Sequence, residues 1–156
     1  MSDLTPRTGS GGLPPGNTIT GGVYNPTAGA STAHPDGFPI GTPVVQSPSA
    51  DNTVVPGNAS SLAGSILMGL AAHFGVPDSP VFVKSGGALT ATEAQWDAIT
   101  GDSGGLVRNA PYYLRSVTEG GLTRSAPSAG GTFKVLVGVA MSSTDFMVRI
   151  GSPVAN

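Results

Sequence analysis

The apolar residues of this chain fall into short runs separated by glycine, proline and small polar residues. Runs such as Phe133 to Met141 are rich in β-branched and aromatic residues, which favour strands. The longest apolar run, Ile66 to Ala72, is too short to span a bilayer. We therefore predict a mainly β protein, a small β-sandwich or barrel-like domain over residues 41–156, with no membrane partner.

This pattern occurs twice along the predicted domain. The blocks around Gly69 and Gly138 both read three apolar residues, glycine, an apolar residue and alanine, at an offset of 69 residues, 138 minus 69. The segments before the two blocks also match each other, and so do the segments after them. The segments before the blocks are offset by 68 residues, 111 minus 43. The preceding matches are Pro43-Val44-Val45 and Pro111-Tyr112-Tyr113, and the following ones are residues 81–86 and 146–151. We expect two similar β units, at about 41–86 and 104–151.

The repeat also predicts individual strands. Residues 62–73 alone could form a helix or a strand, but their partner, Phe133 to Met141, reads as a strand. Both blocks are therefore predicted to be strands. Residues 144–150 follow a short Ser-Ser turn and are expected to return as a hairpin partner.

A single short helix is predicted between the two units, at about 91–100. The segment Thr90-Ala91-Thr92-Glu93 has the spacing of a capping box, and Gly101 stands where a C-terminal glycine belongs. Trp96 and Ile99 share one helix face, so we expect them to cover an open end of the sheet.

The first forty residues show neither helical nor alternating periodicity and are interrupted by Pro-Pro, Gly-Gly, Asn-Pro and His-Pro pairs. Single apolar residues recur at wide spacing, which is typical of anchors rather than of a core. Residues 1–40 are therefore predicted to be an extended arm that becomes ordered only against neighbouring subunits. The expected contact residues are Leu4, Leu13, Ile19, Val23, Tyr24, Phe38 and Ile40.

Composition narrows the function classes. The chain has 156 residues, of which only 10% are charged, and its formal net charge is −2. Because no cluster of Lys and Arg is present, nucleic acid is not an expected partner. Cysteine is absent, which excludes disulfides and thiolate metal sites, and the two isolated histidines, His34 and His73, form no recognisable ligand set. No metal or other cofactor is expected.

One segment suggests chemistry. Gly101-Asp102-Ser103-Gly104-Gly105 is similar to the nucleophile loop of the chymotrypsin-like serine proteases. The resemblance implies Ser103 as nucleophile, His73 as base, and Asp78 or Asp97 as the orienting acid. However, His73 and Ser103 are only 30 residues apart, 103 minus 73, which leaves no room for the two barrels of that fold. We expect no enzymatic activity and keep a serine hydrolase acting through Ser103 as the remote alternative.

The second unit resembles the small β domain of tailed-phage head decoration (cement) proteins, head fibres and some tail-fibre appendages. The residues that carry this resemblance are Gly104-Gly105-Leu106, Ala110-Pro111-Tyr112-Tyr113-Leu114, Gly120-Gly121-Leu122-Thr123 and Val137-Gly138-Val139-Ala140. The resemblance implies a homotrimer on the outer capsid surface of the virion. It also implies an extended segment that crosses neighbouring subunits of the major capsid protein. Met1-Ser2-Asp3-Leu4 lacks a basic segment followed by an apolar one, so we expect the chain to be made in the host cytoplasm.

A different function within the same class stays open. A head or tail fibre module would bind a host receptor or a glycan, and Trp96, Tyr112 and Tyr113 could form an oligomer or glycan surface. Packing in the core is the other interpretation of these three aromatic residues, because they fall on predicted strands and on the predicted helix.

Overall fold

The computed structural model describes residues 23–156 of the chain. The fold is mainly β, with three sheets, a half-barrel and two short helices, so the predicted fold class is confirmed. The strands are β1 (Val23–Tyr24), β2 (Thr27–Ala28), β3 (Pro43–Gln46), β4 (Thr53–Pro56), β5 (Leu67–Ala71), β6 (Val83–Lys84), β7 (Gly86–Thr90), β8 (Pro111–Leu114), β9 (Leu122–Thr123), β10 (Phe133–Lys134), β11 (Leu136–Ala140), β12 (Asp145–Arg149) and β13 (Val154–Ala155). The helices are α1 (Leu62–Ser65) and α2 (Glu93–Thr100).

The two larger sheets contain the same five-strand unit. Their strand orders are β1-β6-β5-β3-β4-β2 and β7-β12-β11-β8-β9, and β10 pairs with β13 in a separate two-stranded sheet. We call β1, β3, β4, β5 and β6 the N-terminal unit, and β7, β8, β9, β11 and β12 the C-terminal unit. If the five strands of a unit are counted in chain order, the first pairs with the fifth, the fifth with the fourth, the fourth with the second, and the second with the third.

The two units also share their pairing register. In the N-terminal unit the pairs are Val44↔Gly69, Val45↔Val55 and Leu70↔Lys84. The equivalent pairs in the C-terminal unit are, in the same order, Tyr112↔Gly138, Tyr113↔Thr123 and Val139↔Met147. The second and fourth strands of both units slip by one residue at the same place, beside Met68 and beside Val137. The repeat seen in the sequence therefore reflects one folding pattern used twice. Its third match is displaced by two residues, because Val83 rather than Val81 is the equivalent of Phe146.

The N-terminal unit curls into the half-barrel. Strand β2 pairs in parallel with β4 on one side, and on the other side the amide of Ala28 donates to Ser79 O at 2.8 Å. Residues 79–81 lead directly into β6 at the far end of the same sheet, so the sheet wraps around its own core. That core consists of Ala28, Phe38, Val44, Val54, Ala71, Val81 and Val83.

This wrapping corrects the predicted arm. Val23 and Tyr24 pair with Lys84 and Val83, and Phe38, which is fully buried, forms a β-bridge with Gly75. Ile40 packs against the larger core of the same chain. Residues 23–40 thus belong to the domain, and both units begin earlier than predicted, at Val23 and Gly86. Leu4, Leu13 and Ile19 lie outside the described residues.

Helix α2 follows the prediction with a shifted start. Thr92, not Thr90, is the N-cap: its side chain accepts a hydrogen bond from the amide of Gln95 at 3.1 Å, and the amide of Thr92 donates to Gln95 Oε1 at 2.9 Å. Gly101 ends the helix at φ 73°, as predicted. The prediction that residues 62–65 are part of a strand is wrong, because Ser61 caps a single helical turn there by accepting from Gly64 N.

Candidate functional site

The loop that follows α2 holds Ser103, but its geometry is that of a supported turn. Asp97 accepts hydrogen bonds from the amides of Gly104 and Gly105, at 3.1 and 2.8 Å. In the resembled loop the oxyanion hole would consist of the amides of Gly101 and Ser103, and the amide of Gly101 donates to Asp97 O at 2.8 Å. Asp102 forms an ion pair with Arg124 at 3.6 Å. The carboxylates near Ser103 therefore hold the loop in shape.

His73 is engaged elsewhere. Its Nε2 accepts a hydrogen bond from the amide of Phe82 at 3.0 Å, so the proton resides on Nδ1, which donates to Phe74 O at 2.8 Å. Both ring nitrogens are occupied by backbone groups of the segment after β5. Within residues 23–156, no hydrogen bond joins His73 to Ser103, Asp78 or Asp97. The residues of the remote serine hydrolase hypothesis are thus not assembled into a triad.

The three aromatic residues of the predicted oligomer or glycan surface differ in how far they are buried. Trp96 and Tyr112 are fully buried, and each satisfies its polar atom inside the fold. Trp96 Nε1 donates to Thr144 O at 2.8 Å, and Tyr112 OH accepts from the amide of Val107 at 2.9 Å. They are core residues, so the surface prediction is wrong for both. Tyr113 is partly exposed, with Lys134 Nζ 5.6 Å from its ring centroid.

The surface feature that sequence reasoning missed is the segment 72–82, which joins β5 to β6. Phe74, Val76 and Phe82 are 49%, 50% and 50% exposed there. The ring of Phe82 packs edge-on against His73, with 5.4 Å between the centroids. We call residues 72–82 the apolar loop. Three large hydrophobic side chains held half in solvent on one loop are typical of a contact surface.

The two units differ at this place. The apolar loop has eleven residues, whereas residues 141–144 join β11 to β12 in the C-terminal unit with four. The longer connection contains three exposed large hydrophobic residues, whereas the shorter one contains Met141, which is 51% exposed. A comparison of the two copies of the repeat at this connection could have found the loop from sequence alone.

A groove of about 300 Å³ adjoins the apolar loop. Phe74 forms one wall, and the exposed face of α2 forms the other with Ala94, Gln95 and Ala98. Pro39 and Ile40 complete the lining. No charged side chain lines this groove, so it offers apolar contact and a single side-chain amide.

A second concave surface has a mixed polar and apolar lining. Two adjoining grooves of about 490 and 530 Å³ share Ser47, Pro48, Val55, Pro56 and Glu119. Serine and threonine hydroxyls dominate the rest of the lining, and Ser31 donates to Glu119 at 2.9 Å. Their lining includes no His, Lys or Arg. The surface therefore offers hydrogen bonds and the carboxylates of Asp78 and Glu119, but no imidazole or cationic group.

Residues 23–156 contain no group of three or more His, Cys, Asp or Glu side chains placed to hold a metal ion. No helix among them has the length and hydropathy to cross a bilayer.

Comparison with known proteins does not assign the chain to a family. No protein-family model matches the sequence, and no curated protein is significantly similar to it.

Proposed function

We propose that this chain is a non-enzymatic structural protein of a tailed-phage particle that decorates and stabilises the head by binding subunits of the major capsid protein. The observation that carries the proposal is the apolar loop, in which three large hydrophobic side chains are half exposed on a chain with few charged residues. Support also comes from the resemblance, since its residues form β8, β9 and β11 and the turns beside them.

The apolar loop has the chemistry of a protein interface. Aromatic side chains at the centre of an interface commonly provide most of the binding energy, and Phe74 and Phe82 are placed to do so. The adjoining groove can accept an apolar side chain of the partner. With only 10% charged residues, the chain also has few groups that would need to be desolvated on contact.

The arm in this proposal is shorter than residues 1–40, the arm predicted from the sequence. Phe38 and Ile40 already pack inside the domain, so they are not available to a neighbour. Residues 1–22 are left as the proposed extended segment, with Leu4, Leu13 and Ile19 as its anchors. Binding through both the arm and the apolar loop would let each copy bridge two capsid subunits, and the second contact would be strengthened by effective concentration.

The alternative of a glycan-binding fibre module loses two of its three expected contact residues, because Trp96 and Tyr112 are buried. A stacking platform needs exposed ring faces. Tyr113 is the one residue of the three with a partly exposed ring.

Co-sedimentation of the purified full-length chain with phage heads that lack it tests the proposal. We expect saturable binding by the unaltered protein. Replacing Phe74 and Phe82 together with serine should weaken binding by about thirtyfold or more, because two central aromatic contacts are removed. Circular dichroism should show that the variant keeps its fold, since both side chains are half exposed.

Val117→Ser is the matched control. Val117 is 85% exposed on the turn between β8 and β9, away from the apolar loop in sequence, and its replacement should leave binding unchanged. If the unaltered chain does not bind heads, the decoration role is wrong. If the Phe74 and Phe82 variant binds as tightly as the unaltered chain, the apolar loop is not the contact surface.

A further inference from the structure

Strand β7 leaves one edge of its backbone open. It pairs with β12 over all five of its residues, from Gly86↔Arg149 to Thr90↔Asp145. It is the outermost strand of its sheet, and no other strand of residues 23–156 pairs with it. The amide of Ala91 donates to Thr144 O beside β12, so by alternation the backbone of Leu89 also faces β12. The backbone groups of Ala88 and Thr90 therefore point to the open edge.

This edge lacks the usual protection against strand addition. Natural sheets guard their edges with charged residues, prolines or very short strands. Strand β7 reads Gly-Gly-Ala-Leu-Thr and contains neither charge nor proline. At five residues it is longer than β9, the two-residue strand at the other edge of the sheet. Ala88 and Thr90 are exposed, so the edge is accessible.

The faces of β7 define what an added strand should look like. Leu89 is 6% exposed and belongs to the core, whereas Ala88 and Thr90 lie on the outer face. A matching strand needs an apolar residue opposite Leu89 and polar or small residues on either side. Thr18-Ile19-Thr20 has this pattern and consists only of β-branched residues, which favour strands. These residues are among the 22 that precede β1.

The pairing of β1 argues that the added strand comes from a second copy. The amide of Val81 donates to Pro26 O, so β1 lies along the edge to which the odd-numbered residues of this stretch point. In β7 the same edge faces β12, because the amide of Ala91 donates to Thr144 O. Continuing β1 along its own edge would therefore lead onto β12, and the open edge of β7 is left to a strand from another copy.

We propose that residues 18–20 of a second copy of this chain add to β7 as an antiparallel strand, with Ile19 opposite Leu89 and Thr20 opposite Ala88. This inference deepens the proposed function and rests on it for the need to join copies on a particle. The contact is heterologous, because the arm of one copy binds the edge of the next. Such a contact can close into a ring, and a ring of three would be the homotrimer that the resemblance implies.

Cysteine cross-linking of full-length protein tests this register directly, since the natural chain contains no cysteine. Two single variants, Thr20→Cys and Ala88→Cys, are prepared with tags of different size and mixed under mild oxidation. Side chains directly opposite each other on adjacent strands are within disulfide reach. We expect a mixed disulfide dimer as the main oxidised product. The control pair replaces Ala88→Cys with Ser128→Cys, on an exposed loop outside the sheets, and should give little mixed dimer.

A second substitution tests the anchor. Ile19→Asn, introduced into the Thr20→Cys chain, should reduce the yield of mixed dimer by about tenfold, because a buried apolar contact is lost. Leu13→Asn in the same chain is the matched control and should not reduce it. A mixed dimer no more abundant than with Ser128→Cys, or a yield unaffected by Ile19→Asn, would overturn the inference.

These measurements are made without phage heads, so they are independent of the test of the decoration role. Cross-linking in a protein that fails to bind heads would support the contact between copies and contradict the decoration role. Binding to heads without cross-linking would support the decoration role and contradict the contact between copies.

Discussion

Gly69 and Gly138 occupy the same position in the two units, and in both a backbone carbonyl from the neighbouring strand lies where a side chain would begin. A Cβ on Gly69 would overlap Lys84 O, and a Cβ on Gly138 would overlap Met147 O. Lys84 and Met147 are themselves equivalent in the two units. The glycine that makes the repeat visible in the sequence is therefore required by close approach of two strands.

Replacing Gly138 with alanine should destabilise the protein. The added Cβ would also lie 2.6 Å from the ring of Phe146, which is fully buried and cannot move aside. We expect a loss of about 1–3 kcal/mol in the free energy of unfolding, the usual range for overpacking. Urea denaturation measures it.

Gly130→Ala serves as the control, because nothing lies within 4 Å of the position its Cβ would take. It should leave the free energy of unfolding within about 0.5 kcal/mol of the original value. Equal stability of the Gly138 and Gly130 variants would contradict the packing argument.

At the scale of elements, β7 and β12 are joined by side chains as well as by their backbone ladder. Thr90 Oγ1 donates to Asp145 at 2.6 Å, and Ser142 Oγ donates to the same carboxylate at 3.0 Å. These hydrogen bonds, that of Thr90 first, lower the pKa of Asp145 below its ordinary value of 3.8. The carboxylate is accordingly more stable in the folded protein than in the unfolded chain.

The sign of the resulting pH dependence follows from this direction. Because the folded pKa is lowered, Asp145 contributes stability above pH 3.8, and the contribution disappears as the pH falls through the folded pKa. Thr90→Val removes the larger cause of the shift. We expect the difference in free energy of unfolding between the original and the variant to be greater at about pH 7 than at about pH 2.5.

The comparison uses urea denaturation at the two pH values. Thr118→Val, on the exposed turn between β8 and β9, controls for the change of side chain and should show no such difference. A Thr90→Val effect that is the same at both pH values would mean that the hydrogen bond to Asp145 does not stabilise its charged form.

Elements with a local signal were predictable, and those set by distant partners were not. Helix α2 was found because its cap and its terminal glycine lie within the segment itself, although the cap is Thr92 rather than Thr90. The helical turn at 62–65 was missed because the whole block 62–73 was given the conformation of its repeat partner, whereas the hydrogen bond between Ser61 and Gly64 decides this turn. The pairing of β2 with β4 and with residues 79–81 had no local signal at all.

At the scale of the molecule, the two units share one core. Ala59 and Leu70 of the N-terminal half belong to the same cluster as Trp96, Tyr112 and Phe146. The backbone also crosses between the units: the amide of Ala59 donates to Arg115 O at 3.0 Å, and that of Phe133 donates to Ala59 O at 2.8 Å. We therefore expect both units to unfold in one cooperative transition.

Two probes can test this expectation. Trp96 is the single tryptophan and reports on α2 and the C-terminal unit, whereas far-ultraviolet circular dichroism reports on all strands. The two urea curves should have the same midpoint. A circular dichroism transition that precedes the fluorescence change would indicate that the N-terminal unit unfolds separately.

The sequence by itself determined the β class, the doubling of the unit, its central strands and helix α2, because alternation, propensity and capping act between near neighbours in the chain. Only the tertiary structure decided that residues 23–40 belong to the domain, since β1 pairs with β6 and Phe38 with Gly75, partners far along the chain. It likewise decided that Trp96 and Tyr112 are buried and that Asp97 binds loop amides rather than a histidine. Burial and hydrogen-bond partners of this kind depend on contacts between segments that are far apart in the chain, and local sequence patterns do not predict those contacts.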